Sequence, residues 1–251
     1  MTPSTADSAA AASASQRDAS PLSLPARVIG ILFSPRATYA DVSARPRWLG
    51  TFLVIVALTS AIGTAFLSTD IGRNAVVDQQ ISQAEAYGRR LTQDQIDRVE
   101  QMSQYYKYLT PVLQTVGLTI GALLISGLAF VVFNAALGSD ARFRQTFAVV
   151  VHSGVVLVVQ SMFSTPLAYA RETLSGATNL GVFAPFLDDN SFAAHALGAV
   201  DLFIVWWIIS LAIGLGVLYQ KRTGPIATTL IVIYVAIGIV IAAFKTAVSG
   251  A

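Results

Sequence analysis

LFIVWWIISLAIGLGVLYQKRTGPIATTLIVIYVAIGIVIAAF, residues 202–244, holds two uncharged apolar runs separated by the basic turn Gln220–Gly224. A bilayer takes about 20 residues of helix to cross. Each run is close to that length, so the stretch reads as two membrane spans, about 194–219 and 225–244. The turn is too short for anything but an antiparallel helical hairpin.

Working outward, the same reading applies to three further runs. Trp48 to about Leu67 is a first span, with Trp48 as an interfacial aromatic directly after Arg45 and Arg47. A second span runs from Pro111 to Leu137 and a third from about Thr146 to Thr165. Of the 251 residues, 54% are apolar and only 12% are charged, about half the charged share of soluble domains. The fold class that follows is an all-α membrane protein: a bundle of five transmembrane helices, with short interfacial N-terminal helices and one extracytoplasmic amphipathic helix.

Residues 1–24 form a tail too poor in large apolar side chains to build a core, so it reads as disordered. It has no apolar segment of the signal-peptide kind. Pro25–Phe33 and the stretch after Ser34-Pro35 predict two short helices that cannot span. The second carries Tyr39 and Val42 on one face, with Arg36 and Asp41 elsewhere. Both suit the headgroup layer, with Arg36 turned outward. Residues 68–110 are the long hydrophilic loop, and 25–246 form the membrane domain. Thr92 and Gln95 fit a capping box, and the spacing of Ile96, Val99 and Tyr106 predicts an amphipathic helix over 93–107. The loop 167–191 is partly polar, with an acidic turn at Asp188-Asp189-Asn190.

Charge placement gives an orientation. Arg45, Arg47, Arg142, Arg144, Lys221 and Arg222 all flank spans on the N-terminal side. The positive-inside rule then puts the N-terminus in the cytoplasm and the C-terminus outside. The arginine-rich, alanine-rich composition points to a bacterial inner membrane. A net charge of +2 gives no footing for nucleic acid, and the chain has no cysteine for disulfides, thiolate metal sites or a thiol nucleophile.

Catalytic motifs are missing from the sequence: no phosphate loop, nucleophile elbow or metalloprotease helix. The reading is therefore not an enzyme, with no cofactor. Membrane lipids are the expected partners, together with a membrane or cytoplasmic protein that the sequence does not identify. His152 and His195 lack a metal-type spacing. His152, inside the third span, reads as a proton-sensitive group or as a neutral hydrogen-bonding one. Asp201 is an acid within the fourth span, where a charge needs a partner or a function. Trp206 sits mid-span beside Trp207; adjacent side chains point about 100° apart, so at most one faces any single groove. Gly117 with Gly121, and Ser210 with Gly214, are small-xxx-small pairs that let helices approach closely or a homo-oligomer form.

LFSPRATYADVSARPRWLG (32–50), DARFRQTFAVVVHSG (140–154) and ALGAVDLFIVWWIISLAIGLGVLYQKRTGPIATTL (196–230) together resemble bacterial Yip1-domain proteins. Asp201, Phe203, Trp206 and Gly214 stand at that family's characteristic places. The resemblance implies five spans and a cytoplasmic N-terminus. Eukaryotic members are associated with Rab GTPases and ER–Golgi trafficking, machinery that bacteria lack, so that role does not transfer. The sequence thus supports a scaffold that acts on partners or lipid. The alternative is a small transporter or lipid-translocating protein using Asp201 and His152. A water-filled cavity reaching both residues would favour the alternative; a closed bundle would favour the scaffold.

Alkaline phosphatase fused after Ala251 is expected to be active, and a cytoplasm-only fluorescent reporter at the same place to be dark. The reverse pattern overturns both the orientation and the odd number of spans.

Overall fold

The computed structural model describes residues 21–249 apart from 137, 175, 177, 189 and 190. Most of the expected tail, and the Asp189-Asn190 part of the acidic turn, lie outside the described residues. Within them the secondary structure is helical, with a single isolated bridge between Asn179 and Asp201.

The chain opens with α1 (Leu24–Phe33) and α2 (Pro35–Ala44). Ser23 caps α1, and Pro35 starts α2 at a position whose N–H would be unpaired anyway. The pair does more than rest on the bundle. Tyr39, Val42 and Thr38 are fully buried, and α2 packs against the third span and the fourth apolar helix. Arg27 of α1 is buried too, with its guanidinium 2.7 Å from the Asp41 carboxylate of α2. Arg36 and Arg47 stay exposed, and Arg45 pairs with Asp41 at 3.3 Å. Trp48 packs edge-on against Phe147, with ring centroids 5.0 Å apart.

The first span is α3 (Leu49–Leu67). The region expected as a hydrophilic loop is mostly helical: α4 (Asp70–Ala86) starts at the Thr69 cap, and α5 (Gln93–Ser103) starts at Thr92, whose N–H donates to Gln95 Oε1 at 3.0 Å. α5 ends at Ser103, four residues before the expected end. After a turn, α6 (Tyr106–Phe130) continues through Pro111 and closes in a π-turn over Val131–Ala136. Proline removes the N–H that would bond the Lys107 carbonyl. The Thr64 hydroxyl of α3 donates to that carbonyl instead, at 3.4 Å, so the helix is neither capped nor broken at the proline.

The third span consists of α7 (Phe143–Ser153) and α8 (Val155–Arg171), joined at Gly154. Ser153 turns its hydroxyl back onto the Val150 carbonyl at 2.7 Å, a Ser-Gly arrangement that bends helices. A short 3₁₀ turn (Leu180–Phe183) leads to α9 (Phe192–Gly198), α10 (Leu202–Leu218) and α11 (Thr223–Ser249).

Four helices are long and apolar enough to cross a membrane: α3, α6, the α7–α8 unit and α11. The α7–α8 unit differs from the others in its surroundings. Its window is 67% buried, against 22%, 17% and 11% for α3, α6 and α11. It is the axle of the bundle, and the other three turn rows of exposed apolar side chains outward, such as Leu128, Val232 and Val240. α10 is apolar throughout but has only 17 residues, about 25 Å of helix.

The fourth span therefore departs from the expected continuous helix over 194–219. The chain is helical to Gly198, leaves the helix over Ala199–Asp201 and restarts at Leu202. Asp201 makes the break stable by capping the second segment.

The two small-residue pairs have different fates. Ser210 and Gly214 face α2: a Cβ on Gly214 would lie 2.5 Å from Val149 Cγ1 and 2.8 Å from the Tyr39 ring, both fully buried. Gly117 and Gly121 meet no neighbour within 4 Å and line a shallow apolar groove of 160 Å³. Gly214→Ala is expected to destabilise the protein by about 1–3 kcal/mol through overpacking. Gly117→Ala should stay within about 0.5 kcal/mol of wild type or gain slightly from helix propensity. Thermal unfolding in detergent reads both, and equal losses would contradict this packing.

Candidate functional site

Two polar regions stand out, and they are separate. The first is sealed inside the bundle. His152 has no exposed surface; its Nδ1 lies 2.7 Å from the Ala148 carbonyl and its Nε2 2.9 Å from the Thr51 hydroxyl of α3. At the next residue, the Trp207 indole donates to Ser153 at 3.0 Å. Tyr39 and Ser210 share a hydrogen bond of 2.8 Å, and Thr146 and Tyr219 one of 2.7 Å. Together the bonds between side chains tie α3 to α7, α7 to α10 twice, and α2 to α10. Burial holds the Tyr39 phenol protonated, its pKa raised well above the ordinary value.

The sequence pointed to His152 and to the tryptophans but did not supply these partners. Of the two tryptophans, Trp207 enters the core and Trp206 lies outward near Phe203. Thr51, Thr146, Ser153 and Ser210 were detectable only as small polar residues inside apolar runs, the kind that bonds helices together in membranes.

The second region surrounds Asp201. Its Oδ1 accepts the backbone N–H groups of Phe203 at 2.7 Å and Ile204 at 3.1 Å, an N-cap. Its Oδ2 accepts from Thr178 and, at 3.3 Å, from Gln160 of α8. The Tyr234 hydroxyl of α11 accepts from Asp201 N–H and donates to the Ala199 carbonyl, both at 2.9 Å. So the groups freed by the helix break are paired across to the neighbouring helix, as a non-aqueous surrounding requires. The carboxylate is held by donors from three segments, the start of α10, the connection at Thr178 and α8.

Asp201 and Tyr234 also stand in the wall of a large cleft of about 1910 Å³. α4, the 173–187 connection, α9 and the second half of α11 enclose it. His195 lines the cleft with Nδ1 3.1 Å from Thr246 Oγ1. Burial, and then the Lys245 ammonium, lower its pKa. His152 and His195 thus lie in different regions, and the cleft that Asp201 reaches does not include His152.

A membrane bundle of helices with a buried third span, entered from one side by a short N-terminal helical pair, defines a polytopic α-helical membrane protein. The chain belongs to the Yip1 domain family, whose profile matches residues 29–244. No curated protein and no solved structure matches it.

Asparagine at 201 keeps both the cap and the acceptor oxygen; leucine removes them. Asp201→Leu is expected to lower stability by about 1–2 kcal/mol, the usual loss for a helix cap, and Asp201→Asn to stay within about 0.5 kcal/mol. Thermal unfolding at matched abundance separates the two, and an asparagine variant as unstable as leucine would show that the charge itself is required.

Proposed function

We propose that the chain is a non-enzymatic membrane scaffold that acts through lipid or a protein partner. It has five spans, counting α10, and sits in a bacterial inner membrane with its N-terminus in the cytoplasm. The observation that carries this reading is the sealed state of the core. His152 has no exposed surface, and its two nitrogens are engaged by Thr51 and Ala148. Asp201 sits elsewhere, with its oxygens occupied by a cap, Thr178 and Gln160. A proton-coupled carrier needs its intramembrane ionisable groups to reach water from alternating sides. Here the two candidates are apart and each is tied to a neighbouring helix, which supports a fixed frame over a moving one.

The test uses the full chain reconstituted in liposomes loaded with a pH-sensitive dye. Under an imposed pH gradient, proton leak should match that of empty liposomes, and crosslinking in the native membrane should capture a discrete partner. A leak above that of empty liposomes, abolished by Asp201→Asn, would sink the scaffold reading and advance the transporter.

A further inference from the structure

The cleft exists because α10 is short. Tyr234 is level with the start of α10, and α11 runs on for another fifteen residues, about 22 Å, with no α10 beside it. α9 packs against that second half of α11 instead. Where α9 and α11 meet, the residues are small: a Cβ on Gly238 would lie 3.1 Å from the Ala199 Cβ. Short side chains let α9 approach α11 closely here.

The chemistry of the walls is graded. On α11, Ile237 and Ile241 face the cleft while remaining 55% and 43% exposed, so this wall is continuous with the outer apolar surface of a spanning helix. The lining also carries three basic residues, Arg90, Arg171 and Lys245, the last near the C-terminal end of α11. Lys245 lies over the Tyr87 ring at 5.5 Å, which docks the end of α4 onto α11 and brings Arg90 to the same corner. Arg90 and Arg171 have no ion-pair partner among the described residues. The lining holds two acids, Asp201 at the break and Glu85, against these three cations, so its net charge is positive. The volume exceeds the roughly 300–1,000 Å³ of ordinary small-molecule pockets. An apolar wall open to the bilayer, a basic mouth and a volume of this size together suit a molecule with a long chain and an anionic head.

We propose that this cleft binds an anionic phospholipid, with its phosphate held at the rim of Arg90, Arg171 and Lys245 and an acyl chain along Ile237 and Ile241. This deepens the lipid arm of the proposed function and rests on it. A protein that passes the proton-leak test and captures a partner, yet holds no lipid here, fails this inference alone.

The experiment is native mass spectrometry of the full chain, stripped of lipid in detergent and titrated with phosphatidylglycerol. A one-to-one adduct is expected. Arg171→Gln combined with Lys245→Gln should weaken it by about tenfold or more, because charge-assisted bonds to the phosphate are lost. Ile237→Trp, at an exposed position that tolerates bulk, should weaken it similarly by filling the chain groove. Unchanged thermal unfolding of both variants shows that they are folded; should either unfold, Ile241→Trp and Arg90→Gln repeat the test at the same two walls. Glycerol phosphate and inorganic phosphate at equal concentration should compete weakly. Binding that is insensitive to every folded variant, or fully displaced by inorganic phosphate, overturns the proposal.

Discussion

The first half of the third span, residues 146–158, is membrane helix that scarcely meets the membrane. Surrounded by α2, α3, α6 and α10, it sits in a medium without water and with little lipid, where each unpaired polar group would cost several kcal/mol. That constraint dictates the rest of the core. Thr146, His152 and Ser153 are tolerated there because Tyr219 and Trp207 of α10 and Thr51 of α3 arrive with the complementary group. The same bonds fix rotation and register, which apolar packing alone leaves loose in a bilayer, since lipid tails solvate leucine as well as another helix does. α2 joins this arrangement through the Tyr39–Ser210 bond to α10, and the absent side chain of Gly214 makes room for its ring. The short N-terminal pair is therefore structural to the bundle, and the Arg27–Asp41 ion pair, buried with it, fastens α1 to α2.

The one place where the helical pattern gives way is the segment before α10. A helix break inside a membrane protein leaves carbonyl and amide groups with no intrahelical partner. Asp201 satisfies two amides, and Tyr234 takes one amide and one carbonyl. A single acid and a single phenol thus convert what would be a continuous span into a short helix and an offset one. The cleft is the geometric consequence, since α11 keeps its full length while its partner stops.

Spans were legible from sequence where hydropathy alone decides: α3 and α11 begin and end near the charges and turns that bound them. Three features were not legible, each for a physical reason. Asp70–Ala86 carries too few apolar residues to announce a helix, and its buried face is only Gly72, Ala75 and Val77. The break over Ala199–Val200 consists of apolar residues that read as helix, although Gly198 and Asp201, a stop and a start three residues apart, were a usable signal. Pro111 reads as a helix start, and only the Thr64 hydroxyl, supplied by another span, lets the helix pass through it. Of the candidate site, Asp201 and His152 were visible as polar residues in apolar runs. Their partners were not, since Thr51 and His152 lie 101 positions apart and Tyr39 and Ser210 lie 171 apart.

Membership in the Yip1 domain family gives this architecture a relation but no chemistry, and a ligand can be selected only where free polar capacity remains. In the core, His152, Thr51, Ser153, Trp207, Tyr39, Ser210, Thr146 and Tyr219 each already have a partner on another helix. Outside it, the exposed faces of α3 and α6 are apolar apart from Tyr108. The cleft beside α11 is where unspent charge, Arg90 and Arg171, meets an apolar wall open to lipid. A cleft of fixed shape lets weak headgroup and chain contacts add up without a new cost of ordering at each binding event.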